Sequence, residues 1–292
     1  MTPPRILIIA GSDSGGGAGI QADIKTVTML GGHAMTAITA ITAQNTLGVE
    51  AVMPLPADIV LKQIDAVIRD LGADAIKIGM IGSAETATIL ADSLETLRGI
   101  PVVFDPVMVA TSGSMLADSA TIASFERLMQ LSTLVTPNLP ELEVLTGHAL
   151  TDQDDILDAA VDLHGRFGCA VLAKGGHAAG DPVTDMLIWE KGTIQQYSDR
   201  LDTRHTHGTG CTLASAVATG LGAGLALDSA VDRAIQYVHA ALLAAPGFGS
   251  GNGPIGHALG TTPFHHVKAA EDGGEWGVEV WDSVWSPERT KH

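Results

Sequence analysis

Four consecutive residues, Gly208, Thr209, Gly210 and Cys211, combine a glycine turn with a thiol and no bulky side chain. They open a run of Ala, Val, Thr, Leu and Gly with no charge until Asp228. The pattern predicts a loop that enters a buried helix directly. The first turn of a helix presents N–H groups without intrahelical partners, backed by the positive end of the peptide dipoles. That chemistry holds an anion, and phosphate is the usual one. The glycines let the backbone approach it without a Cβ in the way. A plain tight turn before a core helix is the alternative, so other residues must decide.

Several point the same way. Lys174 ends an apolar segment before Gly175 and Gly176, which supplies a cation where a strand stops. Asn138 and Glu141 stand one helical turn apart, a spacing that suits Mg²⁺ held directly or through waters. The same pair also has the form of a capping box. Asp105 precedes Pro106, and either meets the site or fixes the turn. Asp13 and Gln44 offer hydrogen bonds to a small organic ligand, with turn and cap chemistry the alternative for Asp13. An anion hole, a cation, a metal-binding carboxylate and a polar pocket are what phosphoryl transfer needs.

These residues need a scaffold. Arg5–Ala10, Ala75–Ile81, Pro101–Met108, Thr133–Asn138 and Cys169–Lys174 read as buried strands. His33–Asn45 and Gly48–Leu55 read as two more, and Thr184–Trp189 with Thr193–Tyr197 as a hairpin. Helical patterns cover Ile20–Leu30, Ala57–Leu71, Ala84–Arg98, Ala117–Leu131, the stretch from Leu139, Asp152–Phe167, the run after Gly208 and Ser229–Ala245. Alternating strands and helices predict an α/β fold with a central, mainly parallel β-sheet flanked by helices. Ligands of such sheets sit beyond the C-terminal strand ends. Asp13, Gln44, Met80, Asp105, Asn138 and Lys174 all fall there. Residues 1–263 read as a single domain. Residues 264–292 show no clear period and read as a C-terminal extension, mobile or partly packed.

Composition excludes several functions. The 292 residues carry 16 Lys and Arg against 33 Asp and Glu, a formal charge of −17, which disfavours nucleic acid or an acidic membrane as partner. The segment Gly15–Gly19 lacks the glycine spacing of a dinucleotide fingerprint. The uncharged run 212–227 is short for a bilayer and rich in Ala and Thr, so it reads as a buried helix. Two cysteines, Cys169 and Cys211, give neither a disulfide framework nor zinc spacing, and the N-terminus has no signal-peptide layout. A cytoplasmic protein is expected.

Seven stretches together resemble one family: Ala10–Asp23, Thr42–Asn45, Lys77–Met80, Asp105–Met108, Thr136–Glu141, Lys174–His177 and His207–Thr212. They are similar, in order, to the hydroxymethylpyrimidine/phosphomethylpyrimidine kinases of thiamine biosynthesis, within the ribokinase-like fold. The resemblance implies a three-layer fold and two successive ATP-dependent phosphorylations: of 4-amino-5-hydroxymethyl-2-methylpyrimidine, then of its monophosphate. It implies a substrate pocket of Gln44, Gly11, Asp13, Ala18, Asp23, Met80 and Val107. Cys211, Lys174, Gly208 and Gly210 form the implied catalytic set. Asn138, Lys174, Thr209 and Gly210 meet ATP, and Glu141, Asn138 and Asp105 serve Mg²⁺. A homodimer is also implied. Most ribokinase-like sugar kinases carry Asp where this chain has Cys211, which leaves the base open. Helix N-termini lower a thiol's pKa from about 8.5, so a thiolate is conceivable there. Positioning and anion stabilisation are nevertheless favoured, because a loose transition state needs little base help. The alternatives are a pyridoxal or pyridoxine kinase on the same fold and a non-catalytic pyrimidine-binding module.

Overall fold

A computed structural model describes residues 2–110, 113–177 and 180–259, with the side chain of His177 excepted. The reading of residues 264–292 as an extension lies outside the described residues.

Among the described residues, nine strands form one sheet in the order β3-β2-β1-β4-β5-β6-β7-β8-β9. They are β1 (Arg5–Asp13), β2 (His33–Asn45), β3 (Gly48–Pro54), β4 (Ala75–Ile78), β5 (Val102–Phe104), β6 (Leu134–Val135), β7 (Ala170–Ala173), β8 (Val183–Trp189) and β9 (Gly192–Ser198). The centre, from β2 to β7, is parallel. Both edges are antiparallel, β3 on β2 at one side and the β8–β9 hairpin at the other. The chain leaves β1 toward β2 and later returns to its other flank as β4. The topological switch point, where a crevice opens above the sheet, therefore lies between β1 and β4.

Successive strand residues face opposite ways and build two cores. Leu7, Ile9, Ile76, Ile78 and Phe104 pack with α2 (Ala57–Asp70), α3 (Ala84–Thr96), α5 (Phe125–Gln130), α6 (Leu139–Thr146) and α7 (Gln153–Phe167). Ile6, Ile8, Val103, Leu134 and Leu172 face α1 (Gly19–Met29), α8 (Thr209–Gly222) and α9 (Leu227–Leu243). The three-layer expectation holds. Among the described residues no helix is long and apolar enough to cross a membrane.

One element differs from expectation. The helix predicted over Ala117–Leu131 is two short ones, α4 (Ser119–Ala123) and α5. Ser124 breaks it, donating its hydroxyl to Thr121 O at 2.6 Å, so the side chain competes with the helical ladder. The uncharged run after Gly208 also stops early, with α8 ending at Gly222.

Candidate active site

Gly208 caps α8 in the left-handed region at φ 89°. A Cβ there would stand 1.9 Å from Gly17 O, so the turn is locked against the β1–α1 loop and only glycine fits. The first turn of α8 then faces the sheet's C-terminal edge. A Cβ on Gly210 would lie 3.2 Å from Lys174 Nζ and 3.5 Å from Asp105 Oδ2. The helix start thus opens toward a cation.

Lys174 follows β7 and pairs with Asp105, at the end of β5, at 2.8 Å. Thr136 Oγ1 donates to the same Asp105 oxygen at 3.0 Å. Burial pushes the Asp105 carboxyl up, but Lys174 and then Lys77 outweigh it and hold it below the usual carboxylate range. Glu141 stands 4.0 Å from Lys174 Nζ. Two buried carboxylates therefore share one amine. Glu141 bears the cost, with burial pushing its carboxyl up to about 7.

Asn138 and Glu141 form the capping box of α6, in which Glu141 N donates to Asn138 Oδ1 at 2.9 Å and Asn138 N to Glu141 Oε2 at 2.8 Å. Both line the cavity all the same. Their three-residue spacing is explained by the cap alone, so the spacing by itself is no sign of a metal.

Cys211 lies in the first turn of α8, half-buried. Burial pushes its thiol up to about 11; Lys77 opposes the shift, while Asp23 and Asp105 add to it. The lowering expected from the helix start does not prevail, and the group is a neutral thiol near pH 7.

At the other end, Met80 follows β4, and a Cβ on Gly11 would touch its sulfur at 3.0 Å. Gln44, the last residue but one of β2, lies within reach of Thr42 and His207. Asp13 reaches the wall, but its carboxylate is committed. Oδ1 accepts from Gly15 N at 2.8 Å, and Oδ2 from Gly17 N at 3.0 Å and Ala18 N at 2.8 Å. These three backbone donors fix the β1–α1 loop around the carboxylate.

One cavity of about 790 Å³ joins these groups. That size suits a small-molecule site. It is lined by Gly11, Asp13, Ala18, Gln44, Met80, Val107, Asp105, Asn138, Glu141, Lys174 and Gly208 through Cys211. Asp23 is the correction. Its side chain is fully buried, bound by Lys77 Nζ at 2.8 and 2.9 Å and by Ser215 Oγ at 2.7 Å, and it does not reach the cavity. An ionised Asp in a core needs such partners, and they leave nothing for a ligand.

The far wall of the cavity carries no motif in the sequence. Ile235, Val238 and Leu242 of α9, Leu201 and Thr203 before α8, and Asp185 of β8 also line the cavity. Asp185 accepts from Gly175 N at 2.7 Å, which fixes the turn after Lys174. The one available signal was Asp185, the single charged residue in β8.

The chain matches the phosphomethylpyrimidine kinase family over residues 13–256. The chain belongs to that family. It is 47% identical over 255 residues to the hydroxymethylpyrimidine/phosphomethylpyrimidine kinase of Rhizobium meliloti, covering 86% of this chain and 96% of that protein. It is also 47% identical over 256 residues to the thiamine biosynthesis bifunctional protein ThiED of Geobacter sulfurreducens, covering 87% of this chain but 52% of that protein. It thus spans about half the length of that relative.

Solved structures give the same picture of this family member. The phosphomethylpyrimidine kinase of Clostridium difficile aligns with a TM-score of 0.73 at 38% identity, over 82% of this chain and 99% of that one. The Bacillus subtilis pyridoxal kinase, solved as an ADP complex, aligns with a TM-score of 0.82 at 31% identity, over 88% and 98%. The ribokinase-like fold is therefore established, and the chain is a kinase of the phosphotransferase class.

Proposed function

We propose that this kinase transfers the γ-phosphoryl group of ATP to the hydroxymethyl oxygen of 4-amino-5-hydroxymethyl-2-methylpyrimidine, and then a second to the monophosphate, in thiamine biosynthesis. The observation that carries the reading is a single cavity with an anion-binding helix start and Lys174 at one end and Gln44 at the other. Similarity to the Rhizobium kinase over nearly its whole length supports the substrate. The ADP complex of the Bacillus neighbour supports ATP as donor.

The residues divide the work. Gln44 meets the aminopyrimidine edge, while Gly11, Ala18, Met80 and Val107 shape the ring's slot. The hydroxymethyl arm then points toward the first turn of α8. The N–H groups behind Gly208, Thr209 and Gly210 hold the transferring phosphoryl group, and Lys174 exchanges its Asp105 contact for a phosphate oxygen. The bond from the γ-phosphorus to the ADP oxygen breaks as the bond to the substrate oxygen forms. The hydroxyl proton leaves late, to the transferred group, so Cys211 acts as a neutral wall of the cradle. A loose transition state tolerates the lack of a strong base.

The charge balance around Lys174 fits a divalent cation. Two buried carboxylates for one amine leave negative charge unmatched, which Mg²⁺ with its retained waters would neutralise. Glu141 and Asp105 would hold it through such waters, with Asn138 serving Glu141 as cap. Bound there, Mg²⁺ would offset charge on the phosphates. A homodimer belongs to the same reading, supported by Ile41, Val52 and Met53 exposed on the β2–β3 edge. So does a cytoplasmic setting, supported by two free cysteines. ADP release with the pyrimidine, its monophosphate or pyridoxal as acceptor tests the proposal. A preference for pyridoxal would overturn it in favour of the pyridoxal kinase reading.

A further inference from the structure

Asp13 and Gln44 lie at the C-terminal ends of two neighbouring parallel strands, and His207 comes between them from the residue before the α8 cap. Asp13 Oδ2 lies 2.8 Å from His207 Nε2. One end of the Gln44 amide lies 3.3 Å from the same Nε2, and its other end lies 3.2 Å from Thr42 Oγ1. Thr42 Oγ1 is also 2.9 Å from Ser12 O, which can only accept. The imidazole packs on the Gly17 backbone, where a Cβ would meet its Cδ2 at 2.4 Å, so only glycine leaves space for it.

These contacts admit one arrangement of hydrogens. The Asp13 carboxylate sits on three backbone N–H donors, so it is ionised and accepts only. His207 Nε2 therefore carries a proton and donates it to Asp13. An N–H cannot accept from a second N–H, so the end of Gln44 that faces His207 is its carbonyl oxygen. The two ends of an amide have nearly the same shape, and the partners decide which is which. The Gln44 NH₂ then donates to Thr42 Oγ1, whose own proton is spent on Ser12 O.

We propose that His207, held by Asp13, is a positioning residue that locks the Gln44 amide in one orientation and makes the site select an amino- over an oxo-pyrimidine. This rests on the reading of Gln44 as the residue that meets the pyrimidine edge. A 4-aminopyrimidine edge presents an acceptor, the ring nitrogen, beside a donor, the amino group. The 4-oxo analogue with a protonated ring nitrogen presents the reverse order. A freely turning amide matches both by flipping. A locked amide matches one and sets donor against donor and acceptor against acceptor in the other.

The test is kcat/KM for the 4-amino and 4-oxo forms of the 5-hydroxymethyl-2-methylpyrimidine, in the wild type and in His207→Phe, Thr42→Val and Gln44→Ala. Mismatching two buried contacts is expected to make the wild type prefer the amino form by about a hundredfold or more. His207→Phe and Thr42→Val are each expected to lower that ratio by about tenfold or more. A merely structural role slows both substrates and leaves the ratio alone. Thr42→Val carries the test even if His207→Phe does not fold. An unchanged ratio in Thr42→Val, with Gln44→Ala slow on the amino form, overturns the lock and keeps the recognition by Gln44. An unimpaired Gln44→Ala overturns both.

Discussion

Lys174 and Asp105 form a 2.8 Å ion pair beside the first turn of α8, where a Cβ on Gly210 would meet both. The amine is thus stored next to the helix start that needs it. Its carboxylate partner lies on a different strand, and the two are brought together only by the parallel order of β5, β6 and β7.

Replacing Lys174 by Met removes that amine. Turnover is expected to fall by about a hundred- to a thousandfold, the usual cost of deleting one preorganised donor to developing charge. Steady-state kinetics with varied ATP would show it. A loss smaller than about threefold would remove Lys174 from the phosphate cradle.

Gly208→Ala sets a Cβ 1.9 Å from Gly17 O at a backbone φ of 89°. The variant is expected to lose about 2 kcal/mol or more of stability and most of its nucleotide affinity. Gly224→Ala has a similar φ of 84° but nothing within 4 Å, and is expected to cost about 1 kcal/mol. Urea denaturation of the pair checks the difference, and equal losses would contradict the interlocked turn.

The Cys211 thiol, pushed up to about 11, is expected to react slowly with iodoacetamide at pH 7 and progressively faster toward pH 10. Cys211→Asp is expected to be poorer than wild type, because it buries a charge where phosphate must bind. A reactivity midpoint below about pH 8 in mass-spectrometric alkylation would restore a thiolate base.

His257 is buried against Thr212 of α8, with Nε2 2.9 Å from Thr212 Oγ1. Burial first, and Lys25 second, lower its pKa from 6.5 to about 4. Between these values the unfolded chain binds the proton and the folded one does not. Stability from this group is therefore complete above about pH 6.5 and is lost as pH falls toward 4, by roughly 3 kcal/mol in all. The stability difference between wild type and His257→Gln, followed by urea denaturation, should shrink over that window. A constant difference would contradict a neutral buried imidazole.

Much of the fold was legible because its signals are local. The strands ending in Asp105 and Lys174, and the glycine turn before α8, each announce themselves within about ten residues. The general rule for open α/β sheets then gathered their ends into one cleft. What escaped depends on distant partners. The resemblance implied Asp23 as a pocket residue, but Lys77 on β4 and Ser215 on α8 claim it within the core that α1 and α8 share. The pKa of Cys211 is set by burial, which a helix-start argument does not contain. Ile235, Val238 and Leu242 differ in no sequence property from core-facing residues of α9. The break at Ser124 turns on one hydroxyl's choice of acceptor.

The most direct test of pyrimidine phosphorylation follows ADP release by the purified full chain with Mg²⁺·ATP and 4-amino-5-hydroxymethyl-2-methylpyrimidine. Turnover is expected to yield first the monophosphate and then the pyrophosphate, with kcat/KM well above that for pyridoxal. No phosphorylation of either pyrimidine, by a preparation that binds ATP, would contradict it.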